Sequence, residues 1–396
     1  MSDWILADGY RYAGVHAGLR PDPSRLDLAL VISDRPAAAA GVFTRNRVRA
    51  APVRVCQERL PRSDARGVVV CSGNANACTG PQGLADARRM TALTAEQTGC
   101  DEEQILVCST GVIGRPLPMD KVEPGIRLAA NHLKPDQQSA RNVAQAILTT
   151  DTRIKTSSRT LTLAGAEVRL TGLAKGAAMI GPNMATMLAF CFTDACVSAD
   201  DLAATAARAA DRSFHCISVE GHTSTNDTLL LFANGTGPKL NGPVLDQFVD
   251  AATAVCAELA CAIAADAEGA SHLVTIQVEG LPTEGEARQV AKVVAESALV
   301  KTAIFGADPN WGRIVSAAGY AGVEFEEENL SLWLGNMLLY REGVPQPFDA
   351  ARASAYLKDN RDISIRLVFD LGHASCEFWT CDLGYDYVRL NADYTT

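Results

Sequence analysis

The sequence predicts a mixed α/β or α+β protein, and three observations carry that reading. Short apolar, β-branched runs alternate with segments in which Ala and Leu recur at helical spacing. Strand-like runs then dominate towards the C-terminus. No short-period repeat and no low-complexity linker divides the chain of 396 residues, which is long enough for a large core.

Taken in order, 50–56 and 67–72 read as strands, with a turn at Gly73–Asn76. Gln82–Gln97 reads as a helix, 104–109 as the next strand, and Ser139–Leu148 as another helix. Arg153–Gly172 alternates polar and apolar residues about a turn at Ala164-Gly165, which predicts a hairpin. Met187–Phe192 is a strand, and 200–214 an Ala-rich helix capped by Ser198 or Asp200. Thr228–Phe232 is a strand closed by Asn234–Gly237, followed by the longest helix at 244–265. A strand at 273–278 and a helix at 284–301 lead into strands at 330–334, 337–341, 363–369, 374–380 and 387–390.

Hydrophobic residues make up 47% of the chain, and the formal charge of −10 argues against a nucleic-acid partner, which calls for a basic face. No run of 18 apolar residues is present, so no membrane span or membrane partner is expected. The N-terminal residues lack the basic and apolar regions of a signal peptide. Twelve cysteines occur without a Cys-x-x-Cys, and the six histidines do not cluster with them at zinc-finger spacing. Three pairs have four residues between them: Cys191/Cys196, Cys256/Cys261 and Cys376/Cys381. Buried reduced thiols explain them better than a metal site, and a cytoplasmic location is expected. Neither the dinucleotide-binding Gly-x-Gly-x-x-Gly nor a P-loop is present.

The chemistry-bearing stretch is Lys175–Phe190, a Gly/Pro-punctuated loop that passes through Ala185-Thr186 into an apolar strand. One reading is a tight turn against a core strand. The other is a nucleophile: if the chain is cut before Thr186, the new amine lies within reach of Oγ, and its ordinary pKa of about 7.7–8 suits a base near neutrality. Cys108–Gly114 (Cys-Ser-Thr-Gly-Val-Ile-Gly) offers a strand-end turn where backbone can approach an oxyanion, although such turns are commonly only turns.

The segment Lys175–Leu188 resembles the self-cleavage segment of the glutamate N-acetyltransferases, also called ornithine acetyltransferases. The similarity runs over nearly the whole chain. It implies a cut between Ala185 and Thr186, giving chains 1–185 and 186–396 that jointly form a layered sheet–helix fold of the ornithine acetyltransferase and aminopeptidase type. It implies Thr186 as nucleophile and Thr110 and Gly111 as oxyanion hole. It also implies substrate contacts at Thr149, Lys175, Thr186, Glu268, Asn391 and Thr396, with no metal or cofactor. Without the resemblance, Glu268 reads as a solvated helix end, Lys175 as a surface lysine and Thr396 as a frayed terminus.

The implied activity is acetyl transfer from N-acetylornithine to glutamate in arginine biosynthesis, with acetyl-CoA as a further donor left open, by a heterotetramer of two of each chain. A hydrolase on the same scaffold (an N-terminal-nucleophile aminopeptidase or amidase) and a secondary-metabolite relative are the competing readings. The chain departs from the family pattern at Ala177-Ala178 and at Glu220-Gly-His222, where His222 replaces an acid. Asp308–Ile314 matches a further family signature to which no role is assigned.

Overall fold

The computed structural model describes residues 4–181 and 187–393. Ala185, Thr186 and Thr396 of the predicted site lie outside the described residues. In chain order the first part runs β1 (Tyr10–Val15), β2 (Leu28–Phe43), α1 (Ala51–Arg59), β3 (Arg62–Asn74), α2 (Gly80–Thr98), β4 (Ile105–Val112), α3 (Met119–Asn131), α4 (Gln137–Ala146), β5 (Lys155–Leu163) and β6 (Ala166–Lys175). Next come β7 (Leu188–Thr193), α5 (Ala199–Asp211), β8 (Thr228–Ala233), α6 (Gly242–Ala264), β9 (Leu273–Leu281), α7 (Glu284–Glu296), α8 (Ala298–Phe305) and α9 (Trp311–Gly319). The chain closes with β10 (Leu330–Leu334), β11 (Met337–Arg341), β12 (Val344–Pro345), α10 (Ala350–Asp359), β13 (Asp362–Phe369), β14 (Ala374–Cys381) and α11 (Tyr385–Asp393).

The strands form two sheets. The first has the order β4-β3-β2-β8-β7-β6-β5, with β1 also paired to β2, and the second has the order β12-β11-β10-β13-β9-β14. The first sheet is buried on both faces, which is why β7 and β8 read as continuous apolar runs rather than alternating ones. In β7, Leu188, Phe190 and Phe192 enter one core with Tyr10, Tyr12 and α4, while Ala189 and Cys191 enter the other with α5 and α6. Phe192 stacks on Phe232 at 5.4 Å and meets Tyr10 at 5.2 Å. The second sheet alternates instead: Ile363, Ile365 and Leu367 of β13 point inward, while Arg366 on the other face lies 4.4 Å over the Trp333 ring.

Helix α6 has the length and composition of a membrane span, yet it packs between the sheets. A Cβ on Gly172 of β6 would meet Val255 and Leu259 of this helix at 2.6 and 3.0 Å, so the glycine sets the close approach. Strand β2 positions the site. Its pairing with β3 shifts register between Ile32 and Ala37, around Pro36, and from Ala38 onward its other edge pairs with β8. The end of β4 is thereby carried round to the start of β8, where Asn226 Nδ2 donates to the carbonyls of Ser109 and Ala75 at 2.8 and 2.7 Å.

Two predicted strands are helices. Residues 50–56 begin α1, because Pro52 sits in the first turn, where its missing N–H costs nothing. Residues 387–390 belong to α11, whose residues are not buried, so the alternating side chains do not face a sheet. The helix predicted at 284–301 is broken at Ser297, whose side chain caps α8 by accepting from the Val300 N–H at 3.4 Å. The remaining predicted strands and helices are present with shifted ends, and β1, β2, β12, α3, α9 and α10 are additional to the sequence reading.

Candidate active site

One cavity of about 640 Å³ opens at the ends of β4 and β6, and Thr110, Gly111, Thr149, Lys175, Glu268 and Asn391 all line it. These residues are far apart in sequence and come from both sides of the Ala185-Thr186 junction. Parallel pairing sets Thr110 beside Ser72 and Gly111 beside Gly73 at the ends of β4 and β3. Gly111 has φ +131°, and a Cβ there would overlap the Gly73 carbonyl carbon, so no other residue fits. Thr110 is buried, with Oγ1 accepting from Lys175 Nζ at 3.4 Å. That bond occupies a lone pair and leaves the hydroxyl proton to be donated elsewhere.

Lys175 ends β6 and is buried, contrary to a surface-lysine reading. Its Nζ donates to Thr149 Oγ1 at 2.6 Å and lies 3.9 Å from Asp151 Oδ2. Burial pushes its ammonium below the ordinary value, Asp151 pulls it back up, and Lys155 and Arg20 lower it further. Behind it runs a buried chain of charges. Asp151 pairs with Lys155 at 2.7 Å, and Lys155 pairs with Asp266 at 2.6 Å. Asp151 also accepts from the N–H groups of Gly176 and Thr149 at 2.6 and 3.0 Å. Burial alone would raise the Asp151 carboxyl, but Lys175 and Lys155 outweigh it and hold the group below the usual carboxylate range. Asp266 closes the chain by accepting from the Thr152 N–H at 3.0 Å and from its hydroxyl.

The far wall is acidic. Glu268, whose N–H donates to the Ala177 carbonyl at 2.9 Å, accepts from Asn391 Nδ2 at 3.4 Å. Glu220 lines the same cavity; its Oε1 accepts from the Ile180 N–H at 2.5 Å, while its buried Oε2 has no partner among the described residues. Burial pushes the Glu220 carboxyl up to about 7, and the neighbouring charge of Glu268 adds to that, against Ile180 and Lys301. The two departures at Ala178 and His222 both line the cavity. A cation on one wall, carboxylates on the other and a Thr-Gly turn at one edge suit a small zwitterionic ligand with an acyl group between them.

Sequence reasoning missed Glu220, the Lys155–Asp266 pairing and Tyr387 of the cavity wall. The signal for the first two stood within two residues of positions the sequence reading names, His222 and Glu268. The Asp308–Ile314 signature is not among the cavity-lining residues. Asn310 caps α9 by accepting from the Arg313 N–H at 3.3 Å, and Trp311 stacks on Tyr340 at 5.4 Å.

Fold and cavity together define an α/β enzyme for small polar substrates. The family is settled by comparison: the ArgJ family model matches residues 11–396, and this chain belongs to the ArgJ family. "Arginine biosynthesis bifunctional protein ArgJ 1" of Nostoc sp. is 46% identical, with 100% of each chain covered. "Arginine biosynthesis bifunctional protein ArgJ" of Rhodopirellula baltica is 44% identical over 99% of this chain and 97% of its own. A crystal structure of the bifunctional protein argJ from Bacillus halodurans is 38% identical with TM-score 0.49, covering 51% of this chain and 96% of that one.

Proposed function

We propose that this chain transfers an acetyl group from N2-acetyl-L-ornithine to L-glutamate through an acetyl ester on Thr186, and that acetyl-CoA serves as a second acetyl donor, both in arginine biosynthesis. The observation that carries the reading is the convergence of Thr110, Gly111, Thr149, Lys175, Glu268 and Asn391 on one cavity. Membership of the ArgJ family, whose relatives are named as bifunctional proteins of arginine biosynthesis, supports both donors.

In this mechanism the chain first cuts itself between Ala185 and Thr186. The freed amine of Thr186 takes the hydroxyl proton, and Oγ attacks the acetyl carbonyl. Thr110 and Gly111 receive the oxyanion. Lys175 and Thr149 hold the carboxylate of the amino acid, and Glu268 and Asn391 its amine end. Ornithine leaves, and the glutamate amine attacks the ester. The halves 1–185 and 186–396 stay together after cleavage because β7 is paired with β6 and β8 with β2, each pairing crossing the cut. We further propose that two of each chain assemble as a heterotetramer.

The test is purified protein supplied with N-acetylornithine and glutamate, with and without acetyl-CoA. Acetylglutamate is expected from either donor. Active protein should run as fragments of 185 and 211 residues (396 − 185 = 211) on a denaturing gel. Thr186→Ala should give one uncut chain without transfer. Release of free acetate at the rate of donor consumption, with no acetylglutamate, would identify a hydrolase.

A further inference from the structure

Asp227 immediately precedes β8 and is completely buried, yet neither carboxyl oxygen makes a hydrogen bond among the described residues. Buried carboxyls without partners destabilise a fold, so one that persists calls for a reason outside packing. Of the nearby hydroxyls, Thr44 Oγ1 spends its proton on the Ser224 carbonyl at 2.7 Å, while Ser224 Oγ accepts from the Asn226 N–H at 3.0 Å and keeps its own proton. Burial pushes the Asp227 carboxyl well above the usual range. The Ser224 and Thr44 hydroxyls and the Met187 N–H favour its charge from outside good hydrogen-bond geometry, and Lys175 is the charged group that bears on it.

Its position in the sheet supplies the reason. Leu188 pairs with Thr228 in the parallel register of β7 and β8, and the Thr228 N–H donates to the Met187 carbonyl at 3.1 Å. Asp227 therefore stands alongside Met187, the residue that follows Thr186 in the chain. Lys175 pairs with Leu188 from the other side, which places the charge of the β6 end at the same point.

We propose that Asp227 is the group that holds and returns the proton during self-cleavage at Thr186, a role that rests on the reading of Thr186 given above. The Thr186 oxygen bonds to the Ala185 carbonyl carbon and the carbon–nitrogen bond breaks. The departing nitrogen takes a proton from the neutral Asp227 carboxyl, and the resulting carboxylate takes up the proton lost from the threonine hydroxyl. The amide has become an ester and a free amine, and Asp227 ends as it began. Water then hydrolyses the ester to the Ala185 carboxylate and the Thr186 hydroxyl. Because burial disfavours an ion pair, the freed amine is left neutral beside a neutral acid, ready to act as a base.

Asp227→Asn keeps the shape and removes the transferable proton. Full-length chain is followed by denaturing gel and N-terminal mass analysis across the neutral pH range, beside parent, Asp227→Glu and a thermal melt of each. The expected result is cleavage slowed on the order of 10²-fold or more in the Asn variant, loss of the parent's pH dependence, and partial recovery in the Glu variant. The melting temperature of uncut Asp227→Asn should equal or exceed that of uncut Thr186→Ala, since an unpaired buried acid has been removed. Cleavage at the parent rate with the parent pH profile overturns the proposal and leaves the reading of Thr186 intact. Slow cleavage with a lowered melting temperature also overturns it, because the role is then structural. A parent chain that never cleaves overturns the reading of Thr186 and this proposal with it.

Discussion

Asp151 and Asp227 are both buried acids within the electrostatic reach of Lys175, and they have opposite fates. Asp151 is saturated by Lys155 and by the Gly176 and Thr149 N–H groups. Its charge is held, and it holds the loop before β5 against the end of β6. Asp227, one strand beyond β7, has no such partners among the described residues, and burial pushes its carboxyl well above the usual range. Desolvation acts on both; what differs is whether the surrounding backbone and lysines answer it. The paired acid builds the cavity, and Asp227 and Glu220, whose carboxyls burial pushes upward, carry the protons that can move.

Removing one charge of the paired set should have the largest measurable effect on stability. Asp151→Asn removes the acid that pairs with Lys175 and leaves Lys155 with one acid in place of two, and is expected to destabilise the fold by about 3–5 kcal/mol in denaturant titration. The sign is opposite to that expected for Asp227→Asn, and two variants shifting stability the same way would dissolve the contrast. Thr110→Ala comes next. It should lower turnover on the order of 10²–10³-fold with a smaller change in the Michaelis constant, because an oxyanion contact strengthens in the transition state. A raised Michaelis constant with unchanged turnover would move Thr110 from oxyanion hole to substrate pocket.

What could be read in advance divides along the same line. Strands buried on both faces, such as β7, declare themselves as apolar runs, and the hairpin of β5 and β6 declares itself by alternation about Ala164-Gly165. Strand β2 does not, because Ser33–Pro36 interrupts it with turn-like residues at the point where its register with β3 shifts. The opening of α1 was misread because Val53 and Val55 favour strands, while the first-turn Pro52 is the residue that decides. At the site, the Thr-Gly pair and Lys175 stand out as motif residues. Pairing is a tertiary fact: nothing local in Asp266 announces Lys155, and nothing in Asp227 announces the absence of a partner.

Glu220 sharpens the comparison at lower magnitude. Its carboxyl ionises near 4.3 in an unfolded chain and is pushed up to about 7 in the fold, so the folded form binds the extra proton between those values. Its contribution to stability is therefore complete below the unfolded value and is lost as pH rises through about 7. Melts over that window should show a decline of about 1–3 kcal/mol in the uncut Thr186→Ala chain that is absent when Glu220→Gln is added. A decline that survives Glu220→Gln would assign it to another group.

The smallest effect is expected at the cavity rim. Asn391 is exposed on α11, donating to the Tyr387 carbonyl at 3.0 Å and to Glu268 at 3.4 Å. No residue of α11 is buried, so Asn391→Ala should leave the melting temperature unchanged. If Asn391 orients Glu268 towards the amine end of the substrate, the Michaelis constant for N-acetylornithine should rise roughly two- to tenfold, the value of one hydrogen bond of about 0.5–1.5 kcal/mol. An unchanged Michaelis constant would leave Glu268 to act on that wall without it.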